Sequence, residues 1–335
     1  MTADFNEFSA VKVKAANRAR LADFSERYGL VVALVLLFAV FSILKPGTFL
    51  TWGTISTILG SQAVLVIVTL GVIISLTAND FDLSIAYTMT ISSMTLAVLN
   101  VNMGVPIGWA ILISLALGAL VGLVNGFFII VFRIHSLIVT LGIGTFLHGL
   151  TLWMSDSNTI SGIDPILSQW VIVNRLFGIP VVFYYAIGLA AAVWYAFEFT
   201  AVGRRVLFVG RGREVARLSG IHTDRLRWGC LVVSGLFGSL AGILYAGTQG
   251  AADPISGTSY LLPALAAAFL GSTSIIPGRF NPWGSTIAVY FLVTGITGLI
   301  FVGLSSFIQD IFYGGALVLA VALSQLVRGR QEQNF

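Results

Sequence analysis

The chain has 335 residues, of which 57% are hydrophobic and only 10% charged, with 36 glycines and a net charge of +4. A mean hydropathy of +0.95 is too high for a soluble domain, which could not hide so much apolar surface in one core. The apolar runs are continuous rather than alternating, which excludes a transmembrane barrel and points to an all-α polytopic transmembrane helical bundle. In such a chain the positive balance speaks to orientation in the membrane, and no nucleic acid partner is expected.

Residues 1–27 alternate basic, acidic and small side chains and read as a cytoplasmic tail, with a surface helix near residues 15–24. The apolar run that follows is too long for a signal core and has no small-residue cleavage site after it, so it is expected to remain as the first span. At roughly 20 apolar residues per crossing, about ten spans follow: 28–45, 55–78, 84–101, 105–132, 137–154, 178–199, 228–249, 259–276, 283–303 and 306–327. They divide the chain into a tail (1–27), a membrane domain (28–327) and a second tail (328–335).

Basic residues orient the spans. With the N-terminus inside, 16 of the 18 lysines and arginines fall on the inner side, and only Lys45 and Arg175 outside. Both termini are then cytoplasmic, as is the loop 200–228, a polar island with seven arginines. The outer segment 156–178 reads as a loop with a short interfacial helix.

Glycines at 118, 122 and 126, at 142 and 144, and at 235, 238 and 242 allow close helix packing. Residues 69–88 and 269–287 share an apolar run, a polar break with a bulky aromatic, and a small-residue restart. This faint duplication suggests two inverted five-span halves.

No catalytic constellation is present: His135, His148 and His222 are scattered, and no phosphate-cradling GxxxxGK[ST] occurs. No cofactor or metal is therefore expected, and the chain is not expected to hydrolyse nucleotide itself. Ion-coupled carriers usually hold carboxylates near midplane; here the acids sit at span ends, with Asp80 and Asp82 between the second and third spans and Asp310 one turn into the tenth. Asp82 followed by Leu83-Ser84 reads as a helix start, either a cap or a broken-helix element lining a path. Asn125 lies deep in the fourth span and, with Thr140 and other hydroxyls, suits either interhelical bonding or a path for a hydroxyl-rich solute.

Within the polar island, Val215, Leu218 and Ile221 recur every three residues, Arg213 and Arg217 lie four apart, and Gly220 is a natural helix stop. Residues 212–221 are thus expected to form a short amphipathic helix, fit for lipid headgroups or for a groove on a cytoplasmic protein.

The stretch Gly203-Arg204-Arg205, Glu214 and Ala216-Arg217-Leu218-Ser219-Gly220-Ile221 resembles the cytoplasmic loop of permease subunits of ribose-type ABC sugar importers, within the superfamily that includes branched-chain amino acid permeases. Phe81-Asp82-Leu83-Ser84, residues 137–142 and Phe269-Leu270-Gly271-Ser272-Thr273-Ser274 extend the resemblance in family order. It implies a dimeric pore built with a second permease copy or paralogue in the bacterial inner membrane. It also implies a cytoplasmic ABC ATPase subunit, a periplasmic sugar-binding protein, and a monosaccharide or polyol substrate. Arg213, Glu214, Ala216, Arg217 and Gly220 would then lie at the ATPase contact, and Asp82, Asn125, Thr140 and Ser272 along the substrate path. The chain departs from the family where Phe81 replaces a glycine and Ile85-Ala86 a Val-Gly pair, positions that bear on the solute. The amino acid branch and a stand-alone secondary carrier remain the alternatives; a membrane enzyme is disfavoured.

Overall fold

The computed structural model describes residues 27–332, with side-chain surroundings through residue 325; the expected surface helix at 15–24 falls outside them. Fourteen helices can be followed in chain order. Helix α1 spans Arg27–Leu44, α2 Trp52–Ser61, α3 Ala63–Thr77 and α4 Ile85–Ala97. Next come α5 (Ile107–Gly126), α6 (Ser136–Met154), the short α7 (Pro165–Ser168), α8 (Val181–Phe199), α9 (Ala201–Arg211) and α10 (Arg213–Leu218). The chain then forms α11 (Thr223–Gln249), α12 (Thr258–Gly271), α13 (Pro282–Val302) and α14 (Phe307–Glu332). Wider π turns extend α4 to Asn102, α5 to Val131 and α7 to Val173.

Each of the ten expected span segments is helical. Eight of them are long and apolar enough to cross a membrane, counting α2–α3 as one element. The other two are α4 and α12. Helix α12 stops at Gly271, five residues before the expected boundary, because the chain turns at 272–278 with Ile275 in the left-handed region (φ +63°). The expected span at 55–78 starts earlier and is interrupted at Gln62, a break that the apolar run conceals. The short helix expected in the outer segment is α7.

The bundle has an inside and an outside. The span containing α3 has 78% of its most apolar window buried, whereas α1 has 11%. All fifteen residues of α3 are buried. Its hydroxyls bond back to their own helix, Thr69 to the Leu65 carbonyl and Thr77 to the Ile73 carbonyl, so their burial leaves no orphan donor. Helix α11 is the central post, packing on α3, α4 and α5. Helix α12 joins α13 and α14 to α3. In the outer helices α1, α5, α6, α8 and α14, no more than 28% of the most apolar window is buried.

Small residues set the closest crossings, as their spacing leads one to expect. A Cβ at Gly118 would strike Ser239 and the Gly235 carbonyl, one at Gly122 the backbone of Leu231, and one at Gly235 the Gly118 carbonyl. Gly242 meets the Met89 carbonyl of α4 in the same way, and Gly144 meets Tyr87. Gly142 meets nothing within 4 Å, so it takes no part in this packing.

Two short antiparallel strand pairs tie connecting loops together, Ile160–Ser161 with Ala251–Ala252 and Arg175–Leu176 with Ile179–Pro180. At the opposite end of the bundle lie the α3–α4 corner, the α12–α13 corner and residues 200–222. The start of α1 is there too, since Arg27 Nε donates to the Ile275 carbonyl and the Ile275 amide donates to the Arg27 carbonyl. Ser324, near the end of α14, bonds Ser272 at 2.9 Å. The two similar stretches at 69–88 and 269–287 therefore form corners at the same end, and their likeness is not itself a relation between inverted halves.

Candidate functional site

The polar island is more ordered than a loop. Its first part is α9, an amphipathic helix capped by Thr200, whose hydroxyl accepts the Gly203 amide at 3.0 Å. Val206 and Val209 are buried while Arg204, Arg205 and Arg211 face out. Gly203 presses on the Ala196 carbonyl at the end of α8, and Gly210 on the Thr77 carbonyl at the end of α3. The island's last part is not loop either: α11 begins at Thr223, so Arg227 is helical and buried.

Between them stands α10, the expected amphipathic helix. Gly220 ends it at φ +79°, and the Ile221 amide reaches the Ala216 carbonyl while the Gly220 amide reaches that of Arg217. This is the paired C-terminal closure that glycine permits. The apolar stripe is not packed into the bundle: Val215 is 58% and Leu218 85% exposed. Singly exposed apolar residues need no explanation; here Val215 and Leu218 stand exposed three residues apart on the same short helix. Glu214, Arg217 and Gly220 are exposed beside it, Ala216 is buried against the bundle, and Arg213 is half-buried.

Arg213 turns inward. Its Nη2 donates to Asp80 Oδ1 and to the Asn79 carbonyl, both at 3.0 Å. Arg227 grips the same carboxylate with Nε to Oδ2 at 2.7 Å and Nη2 to Oδ1 at 2.8 Å. Asp80 is only 2% exposed, so the fork is shielded from water and from salt. Removing one partner of such a buried pair costs on the order of 3–5 kcal/mol, because the other charge is left alone. Beside this clasp a polar cleft of about 500 Å³ opens between α10 and the α5–α6 corner, lined by Arg133, His135, Arg217 and Asp224 among others.

Two residues on, the chain makes a second cluster. Residues 81–83 lie in no helix or strand, and α6 supplies the partners that a helix would have provided. The Phe81 amide donates to Ser136 Oγ at 3.0 Å and the Leu83 amide to Thr140 Oγ1 at 3.1 Å. Asp82 Oδ1 accepts the Ser84 amide and hydroxyl, its Oδ2 accepts Ser234 Oγ at 2.7 Å, and Asn125 Nδ2 donates to Ser84 Oγ at 2.7 Å. Three of the four expected path residues, Asp82, Asn125 and Thr140, are thus brought together. Ser272 is not; it bonds the Phe269 carbonyl and Ser324 at the other corner. Asn125 Oδ1 is buried without a partner.

Burial pushes the Asp82 carboxyl above the ordinary carboxylate range, outweighing the hydrogen bonds from Ser84 and Ser234 that pull it down. A raised folded-state value means that the folded chain binds this proton more readily than the unfolded one. The group therefore favours folding at low pH and opposes it as pH climbs from the unfolded value of 3.8 through the folded one. Asp82→Asn should gain melting temperature on the natural protein as pH rises over that window in detergent. A variant that loses ground instead would contradict the direction of the shift.

Sequence reasoning noted Asp80 only as an acid at a span end and counted Arg227 as one loop arginine. The available signal was helical: Arg227, Leu231 and Ser234 recur at i, i+4 and i+7, all on the buried face of α11. Among the described residues no three His, Cys, Asp or Glu groups gather where they could hold a metal ion.

Fold and site together define a multi-pass helical membrane protein with its polar apparatus gathered at one end. The chain belongs to the branched-chain amino acid transport system / permease component family, whose model matches residues 54–321. That is a family of transport permeases and not of enzymes. The chain is 27% identical over 319 residues to the D-allose transport system permease protein of Escherichia coli K12, covering 95% of this chain and 98% of that one. It is 29% identical to the galactose/methyl galactoside import permease protein of Salmonella typhimurium, over 96% of this chain and all of that one. It is 31% identical to the ribose import permease protein of Bacillus subtilis, over 90% of this chain and 93% of that one. No solved structure matches the chain.

Proposed function

We propose that this chain is the membrane-spanning permease subunit of an ATP-binding cassette importer that moves a monosaccharide or similar polyol. The observation that carries the reading is the near full-length similarity to permeases named for allose, galactose and ribose. The structure supports it with α10, a braced helix whose apolar stripe is left open for a partner. That partner is a cytoplasmic ABC ATPase subunit, which hydrolyses ATP and moves α10. A periplasmic sugar-binding protein delivers solute at the opposite end, and a second permease copy or a paralogue completes the pore. The outward apolar faces of α1, α5, α6, α8 and α14 meet membrane lipid.

The end bearing α9 and α10 is assigned to the cytoplasm of a bacterial inner membrane, and both termini with it. Among the described residues, all basic side chains but Lys45 and Arg175 belong to that end. Asp82, Asn125 and Thr140 line or support the solute path near it.

The test is reconstitution with the partner ATPase and binding protein, followed by uptake of labelled ribose, allose, galactose and leucine. ATP-dependent accumulation of a sugar is expected. Uptake of leucine alone would move the chain to the amino acid branch, and uptake that persists without ATP would make it a stand-alone carrier.

A further inference from the structure

We propose that Asp80 is the positioning residue that carries movement of α10 into the spans. This rests on the reading of α10 as the ATPase-docking element and names how its displacement is passed on.

Both joints of α10 are glycines, Gly212 before it and Gly220 after it. Its backbone connections therefore transmit little by themselves. Ala216 packs against the bundle, and Arg213 supplies the polar tie from α10 to the spans, ending on Asp80 and the carbonyl beside it. Asp80 is also the residue that the central helix α11 grips through Arg227. One carboxylate thus joins α10 to the central post, at the corner where α3 ends and α4 begins.

From that corner the connection widens. The backbone at Phe81 and Leu83 is bonded to Ser136 and Thr140 of α6. Asp82 is bonded to Ser234 of α11 and, through Ser84, to Asn125 of α5. A pull or push on Asp80 consequently reaches α3, α4, α5, α6 and α11 through hydrogen-bonded contacts without a gap. The α12–α13 corner is anchored elsewhere, by Arg279 to Glu198 at the end of α8 and by the Arg27–Ile275 bonds to α1. The clasp therefore ties α10 by hydrogen bonds to the α3–α4 corner and its partners, and to the α12–α13 corner through packing on α3. An ionic fork suits this task because its paired, directional charge-assisted hydrogen bonds fix orientation as well as distance.

The experiment uses the full complex with ATPase and binding protein, comparing natural permease with Asp80→Asn, Asp80→Glu and Arg213→Gln. Co-purification of the ATPase, ATP hydrolysis and solute uptake are read together. In the complexes that assemble, Arg213→Gln and Asp80→Asn are expected to lower uptake per ATP hydrolysed on the order of tenfold, within the usual range of coupling between sites. Asp80→Glu should recover part of that loss. Unchanged uptake per ATP in an assembled Arg213→Gln complex would overturn the proposal, and so would loss of assembly in Asp80→Asn with Arg213→Gln indifferent. If the natural complex moves no solute at all, the importer reading fails separately. The tie is then read by amide hydrogen exchange, which Arg213→Gln should accelerate at Phe81 and Leu83; unaltered exchange there overturns it.

Discussion

Gly235→Leu is expected to leave almost no folded protein in the membrane. Position 235 sits where α11 crosses α5, and its missing Cβ is what lets the Gly118 carbonyl occupy that space. The contact is backbone on backbone, so no side chain can rotate away and the helices themselves must separate. Helix α11 also packs on α3 and α4, and Gly238 and Gly242 hold it against the Ile85 and Met89 carbonyls. Separation at one crossing is therefore resisted at two others. Overpacking an ordinary core costs about 1–3 kcal/mol, and this site stands at or beyond the upper end. Size-exclusion profiles and melting curves in detergent would measure it. Gly142→Leu is the control, since a Cβ there meets nothing within 4 Å. A Gly235→Leu protein that elutes and melts like the natural one would disprove the crossing.

Leu218→Glu should abolish docking of the ATPase subunit while leaving the permease folded. Leu218 is 85% exposed, so the charge meets water in the free subunit and stability should change by no more than about 0.5 kcal/mol. In the complex the same position is read as an apolar anchor. Burying a leucine contributes about 1.5–3 kcal/mol, and a desolvated carboxylate adds a further penalty. Affinity should fall on the order of 100-fold or more. Pull-down of the ATPase by detergent-solubilised permease measures this, alongside a melting curve. Unchanged binding with an intact fold would remove α10 from the docking surface.

The spans were legible because an apolar run of helical length is a local property, and every expected segment is helical in the structure. Helix α10 was legible for the same reason: its stripe at 215, 218 and 221 and its stop at Gly220 lie within ten residues. Helix α9 was passed over because its arginines made it look like loop, although Thr200 as a cap and the buried Val206 and Val209 were there to be read. The start of α11 was placed five residues late for a related reason, since Arg225 and Arg227 broke the apolar run. The Asp80 clasp could not be read at all. Its partners are 133 and 147 residues away, and only folding brings them together. Asp82, Asn125 and Thr140 were named separately for their polarity; that Asp82 and Asn125 meet at Ser84, with Thr140 on the Leu83 amide beside it, is a tertiary fact. Ser272, singled out by the same resemblance, belongs to a different corner.

Helix α9 also imposes a condition of length. Gly203 and Gly210 are seven residues apart, a rise of about 10.5 Å, and after two turns they return to nearly the same face, within about 20°. One seats against α8 and the other against α3, so the segment between them works as a gauge. Substitution at its outward arginines leaves that spacing intact. Adding or deleting a single residue turns one seat away by roughly 100° and drives a side chain into the Ala196 or Thr77 carbonyl. Its charge can drift, but its residue count cannot.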